Sequence, residues 1–96
     1  MALKIVWTPQ ANQGLQNVLN YLEEEWTINE ILNLEHNLKE LLKHISKHPE
    51  ICPTTQHFSN LHKGFVDKNN YIIYRLNLDN KQIEIINFRG TKQRPL

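Results

Sequence analysis

The hydrophobic positions change their period twice along this chain. Leu3 to Trp7 is a short run of β-branched and aromatic residues, which predicts an opening strand. Thr8-Pro9 stops it: Thr suits a helix N-cap, and Pro suits the first helical position, where its missing N–H costs nothing. Ala11, Leu15, Val18, Leu19 and Leu22 then fall at helical spacing and predict a helix from Pro9 to about Glu24. Glu23-Glu24-Glu25 opposes the helix dipole there and reads as a solvated acidic turn. Thr27 with Glu30 three residues on matches a capping box. Ile31, Leu34, Leu38, Leu41 and Ile45 repeat at 3, 4, 3, 4, a narrow apolar seam predicting a second helix from about Ile28 to Lys47. Two helices joined by a short turn form a hairpin, and the seam is expected to pack within the chain.

The period then switches to two. Pro49 and Pro53 end the helical region, and residues 48–60 read as a loop that could carry a short edge strand near its end. Leu61 to Val66 reads as a strand interrupted by Gly64, and Asp67-Lys68-Asn69-Asn70 as a turn. Tyr71 to Leu76 is the clearest strand, and Lys81 to Phe88 is the last. Asp79-Asn80 between them suits a two-residue hairpin loop, because both residues tolerate positive φ. That loop sets Arg75 opposite Glu84 and Ile73 opposite Ile86. One sheet face then carries Ile72, Tyr74, Leu76, Ile83 and Ile85 and should meet the helices. The other carries Tyr71, Ile73, Arg75, Glu84, Ile86 and Phe88, a half-apolar surface open to a partner. The expected architecture over residues 1–96 is a single α+β domain: an N-terminal strand, an antiparallel two-helix hairpin, then a three-stranded antiparallel meander, the helices on one face of a twisted sheet.

Composition narrows the class. Leu, Ile, Val and Phe make up 29 of 96 residues, well above the level of about 20% below which disorder is expected. The one cysteine, Cys52, excludes an internal disulfide and reads as packed rather than nucleophilic. No apolar run approaches a membrane span, the opening run is too short for a signal peptide, and a cytoplasmic protein is expected. Trp7 and Trp26 read as core. His44 and His48 stand four apart, as two zinc ligands could, but no third ligand accompanies them, so no metal and no cofactor are expected. The formal net charge of +1 conceals a gradient. Residues 1–60 carry net −3, residues 61–80 net +1 and residues 81–96 net +3, with all three arginines between 75 and 96. The basic end is where an anionic partner would dock.

The ordered set of segments resembles the small toxins of the RelE/ParE superfamily of type II toxin–antitoxin modules. Its pieces are Ile5-Val6-Trp7-Thr8-Pro9-Gln10-Ala11, Leu19-Asn20-Tyr21-Leu22, His48-Pro49, Tyr71-Ile72-Ile73-Tyr74-Arg75-Leu76 and Ile83-Glu84-Ile85-Ile86-Asn87-Phe88-Arg89. No single piece is specific; the order over nearly the whole chain carries the likeness. The resemblance implies a twisted sheet with one parallel pairing that cradles a helical hairpin. It also implies a cognate antitoxin as partner, with Tyr71, Ile73, Ile86 and Phe88 as its expected contact residues. Two activities occur in the family. One is ribosome-dependent mRNA cleavage, for which Arg75, Arg89 and Lys63 would be the cationic candidates and His57 or His62 the acid–base candidates. The other is poisoning of DNA gyrase, with Arg75, Arg89, Lys92 and Arg94 as the target-facing set. The segment after Arg89 holds no Tyr or His, whereas nuclease members usually supply one there, so the gyrase-poisoning branch is the expectation. The alternatives are the nuclease, with ribosome and mRNA as partners, and a non-toxic module that acts only within an antitoxin complex.

Overall fold

The computed structural model describes residues 3–25, 27–56, 58 and 60–90. Strand β1 spans Lys4–Trp7, helix α1 Pro9–Glu25 and helix α2 Ile28–Lys47. Strands β2 (Leu61–Asp67), β3 (Asn70–Asn77) and β4 (Gln82–Gly90) follow. The architecture is α+β, with two helices and a four-stranded mixed sheet in the order β1-β4-β3-β2. β2, β3 and β4 are antiparallel neighbours, so the three-stranded unit expected from the sequence is extended by β1, which lies parallel to β4.

The helices cover one face. Leu34, Leu38 and Ile45 of the α2 seam are buried with Ala11 and Val18 of α1 against Ile72, Tyr74, Ile83, Ile85 and Phe88 of the sheet. The seam therefore serves the chain's own core. Trp7 packs at its margin, 6.4 Å from the Phe88 ring centroid, and Trp26 lies outside the described residues. Gly14 allows α1 to press on β4: a Cβ there would come within 2.2 Å of the Phe88 carbonyl oxygen. Thr8 caps α1, its Oγ1 accepting from the Ala11 amide at 3.2 Å and donating to the Ile85 carbonyl at 2.8 Å. Thr27 also stands at a helix N-cap, but its side chain makes no capping bond, and Glu30 is tied only to the Thr27 backbone carbonyl. Neither side-chain bond of the expected capping box forms; the contact between the two residues is a backbone one. Glu23 and Glu24 are exposed, as a solvated acidic helix end should be.

The β3–β4 register corrects the sequence reading in one consequential place. Arg75 stands opposite Glu84, as expected. The connection is four residues long, Leu78 to Lys81, and the positive φ (54°) falls on Lys81 rather than on Asp79 or Asn80. Between Ile73 and Tyr74 the register shifts, so that Tyr74 faces Ile85, whereas Ile73 faces Asn87 rather than Ile86. Ile86 is the extra residue of a β-bulge and has no partner across on β3. A bulge adds one residue to the count, and side chains beyond it change faces. Phe88, expected on the open face, therefore pairs with Ile72 and is 1% exposed in the core. Arg89 takes its place on the open face, opposite Tyr71.

The segment between α2 and β2 closes the sheet edge. Thr54 bridges to His62, the Thr55 amide donates to the Leu61 carbonyl (2.7 Å), and the Lys63 amide donates to the Pro53 carbonyl (3.0 Å). Pairing an edge strand in this way removes a template for aggregation. Among the described residues no helix is long and apolar enough to cross a membrane.

Candidate functional site

The sheet face turned away from the helices is the candidate site. Strand pairing arranges it in three cross-strand rows. Phe65, Tyr71 and Arg89 form the row at the bulged end. Lys63, Ile73 and Asn87 form the middle row. Leu61, Arg75 and Glu84 form the row nearest the β3–β4 loop, and Val6 of β1 extends it. On β2, β3 and the first half of β4 these positions follow from period-two alternation, because their neighbours in sequence (Gly64, Val66, Ile72, Tyr74, Ile83 and Ile85) are buried on the other side, whereas Asn87 and Arg89 reach this face through the bulge at Ile86.

The bulged end is aromatic and cationic. Lys63 Nζ lies 4.3 Å from the centroid of Tyr71 and 5.1 Å from that of Phe65, within cation–π range of both. The two rings stand 5.9 Å apart at 57°. Arg89 is exposed beside Tyr71. A lysine, an arginine and a phenol so placed can hold an anionic group and move a proton beside it.

The other end is ionically closed. The Arg75 guanidinium is paired with Glu84, and Asn77 Nδ2 donates to the same carboxylate at 3.4 Å. The hydrogen bond from Arg75, and after it that from Asn77, holds the Glu84 carboxyl below its ordinary range. Arg75 and Arg89 stand four strand residues and one strand apart, roughly 14 Å between Cα atoms. The sheet thus brings Lys63 and Arg89 to Tyr71 and keeps Arg75 apart from them.

Several expected residues fall elsewhere. His62 was expected to supply acid–base chemistry beside the open face. It pairs with Tyr74 on the helix-facing side, stacks on that ring (5.1 Å, 12°) and donates from Nδ1 to the Cys52 carbonyl at 2.8 Å. Tyr74 in turn donates to the Pro49 carbonyl at 2.8 Å. Burial, and after it the neighbouring Cys52, pushes the Tyr74 hydroxyl well above the ordinary phenol range. His62 and Tyr74 therefore anchor the loop. Cys52 is half-buried, within 3.0 Å of where a Cβ on Gly64 would stand, and is packed against the sheet. His57, Lys92 and Arg94 lie outside the described residues. Of the expected antitoxin contacts, Tyr71 and Ile73 are on the open face, Ile86 is the bulge residue and Phe88 is core. Among the described residues no three His, Cys, Asp or Glu side chains group as a metal site would require. Phe65 is the residue that sequence reasoning missed, although its spacing of two from Lys63 on one strand was the available signal.

No family model and no curated protein matches the chain. Solved structures do. The chain is similar to the toxin–antitoxin complex RelBE2 from Mycobacterium tuberculosis, with 13% identity and a TM-score of 0.65 over 94% of this chain and 99% of that one. It is similar to the YoeB/ParE toxin from Agrobacterium tumefaciens, with 13% identity and a TM-score of 0.65 over 92% and 98%. It is also similar to the YoeB dimer from Staphylococcus aureus, with 17% identity and a TM-score of 0.63 over 93% and 97%. The fold is that of the RelE-, YoeB- and ParE-type toxins. The likeness spans nearly the full length of each.

Proposed function

We propose that this chain is the growth-inhibiting toxin of a type II toxin–antitoxin module, neutralised by a cognate antitoxin laid across the open sheet face, and that it cleaves mRNA in the ribosome. The observation that carries this reading is the convergence of Lys63 and Arg89 on Tyr71, on a face left open while the opposite face is sealed by helices. Metal-independent cleavage of RNA needs a proton taken from the attacking 2′-hydroxyl, stabilisation of the charge gained by the phosphate, and a proton for the leaving oxygen. Lys63 and Arg89 supply the charge stabilisation. Tyr71 is the group at the bulged end able to carry a proton, a role that the sequence reading had given to His57 or His62.

The second reading is poisoning of DNA gyrase. It is favoured by the sequence Gly90-Thr91-Lys92-Gln93-Arg94-Pro95-Leu96, which lacks the Tyr or His expected of a nuclease and adds two cations. One experiment separates the two: induction of the chain without antitoxin, followed by primer extension on cellular messages and by plasmid topology. Cleaved messages with normal topology are expected. Lys63→Gln combined with Arg89→Gln should abolish both arrest and cleavage while leaving the melting temperature unchanged, because both side chains lie on the open face. A DNA-damage response with intact messages would overturn the nuclease reading in favour of gyrase. Unimpaired growth would overturn both and leave an antitoxin-binding module.

A further inference from the structure

The open face continues at the β2 edge into a groove of about 560 Å³, within the size range of small-ligand sites. Its floor is Ile73 with the backbone of Gly64. One wall is the Phe65 and Tyr71 rings, and the other is the loop from Ile51 to Gln56. This loop wall is held in place, because the Lys63 amide donates to the Pro53 carbonyl and the Thr55 amide to the Leu61 carbonyl. Phe65 is 54% exposed and Ile51 60% exposed, although both line the groove. Such apolar exposure at a concave place is a mark of a binding surface.

We propose that this groove seats one unpaired nucleobase of an RNA strand, stacked on Phe65, with the adjoining phosphate held by Lys63. The inference rests on the RNA reading above and deepens it by naming a base subsite. Three features point to a base rather than to a phosphate alone. The Phe65 and Tyr71 rings meet at 57°, so a flat ring can slide against one without being blocked by the other. Lys63 lines the groove with its Nζ over both rings, which puts an ammonium beside the base seat, where the backbone of an incoming strand would run. The exposed Thr54 and Gln56 on the loop wall offer hydroxyl and amide groups to a base edge. The base must be unstacked to enter, so the ligand is single-stranded RNA rather than duplex.

The test uses the full chain and a fluorescein-labelled single-stranded RNA of about ten nucleotides, in the range of known single-strand footprints. A ribose-phosphate strand of equal length without bases serves as the comparison. Phe65→Leu is expected to weaken binding of the RNA about tenfold, Phe65→Trp to preserve it, and the abasic strand to bind no better to wild type than to Phe65→Leu. The salt dependence should be unchanged in Phe65→Leu and shallower in Lys63→Gln. Matching thermal melts of the variants guard against unfolding. RNA binding within twofold of wild type in Phe65→Leu, or equal binding of the abasic strand, overturns the base seat while leaving the RNA reading standing. Loss of antitoxin binding alone in Phe65→Leu also overturns it, and marks the groove as a peptide site. Wild type that does not bind the RNA removes the base seat, and it removes the RNA reading as well when messages also stay intact.

Discussion

Gly14 shows how one missing methyl group sets the distance between a helix and the sheet. In an exposed helix, Gly→Ala gains about 1 kcal/mol from propensity. Here the added Cβ would meet a backbone oxygen at 2.2 Å, so backbone rather than a flexible side-chain end must shift to admit it. Gly14→Ala should therefore destabilise the protein, by about 1–3 kcal/mol as expected for overpacking, read as a lower urea midpoint with an unchanged slope. A second residue-level prediction concerns Glu84. Its carboxyl is held below its ordinary range by Arg75 and then Asn77. A lowered native value means that the unfolded chain binds the proton more readily. The contribution is therefore present above the ordinary carboxyl range and is lost as pH falls through the lower native value. The melting temperature should drop more steeply below about pH 4 in wild type than in Glu84→Gln, and parallel curves would show the pair to be energetically silent.

Among the elements, β4 decides most. Its residues alternate as a half-buried strand should through Ile83, Glu84 and Ile85, and the first half of the β3–β4 register was legible from that alternation. The second half was not. Nothing local to Ile86 marks it as the residue to be left unpaired; the adjacent Ile85 and Ile86, followed by Asn87 and a large aromatic at the wrong parity, were the faint trace of a phase change. The structure ties this place from outside the strand: Thr8, seventy-seven residues away, donates through Oγ1 to the Ile85 carbonyl and stands 3.2 Å from that of Ile86. The consequence is testable. Phe88→Ala should cost about 3–5 kcal/mol, the loss expected of a buried aromatic, whereas Tyr71→Ala on the open face should leave the urea midpoint little changed. The reverse ranking would restore the unbulged register. The loop before β2 teaches the same lesson: His62 was a candidate acid–base group until pairing set it opposite Tyr74 on the helix side.

Across the molecule, the charge gradient of the chain becomes a difference between faces. Glu23, Glu24, Glu30, Glu35 and Glu40 are exposed on the helices, whereas Lys63, Arg75 and Arg89 lie on the open side of the sheet with Glu84 as the acidic member of their rows. A near-neutral total thus coexists with a basic open sheet face. Three cations are few, and the salt dependence of binding should say so. With Arg75 already paired to Glu84, Lys63 and Arg89 are left for phosphate, so for single-stranded RNA a plot of log affinity against log salt should have a slope of about −1.4, the value for about two neutralised phosphates. A much steeper slope would require cations beyond those of the open face.

Read alone, the chain determined its elements, their order, the face of the sheet that meets the helices and the basic character of its C-terminal part, since these follow from local period, caps, turns and composition. The tertiary structure decided that Phe88 is core and Arg89 open, that Arg75 is held by Glu84 away from Arg89, and that Lys63 lies over Phe65 and Tyr71. The reason is physical. Alternation specifies faces only while the count along a strand is unbroken, and one unpaired residue, stabilised by a contact remote in sequence, reverses every assignment beyond it.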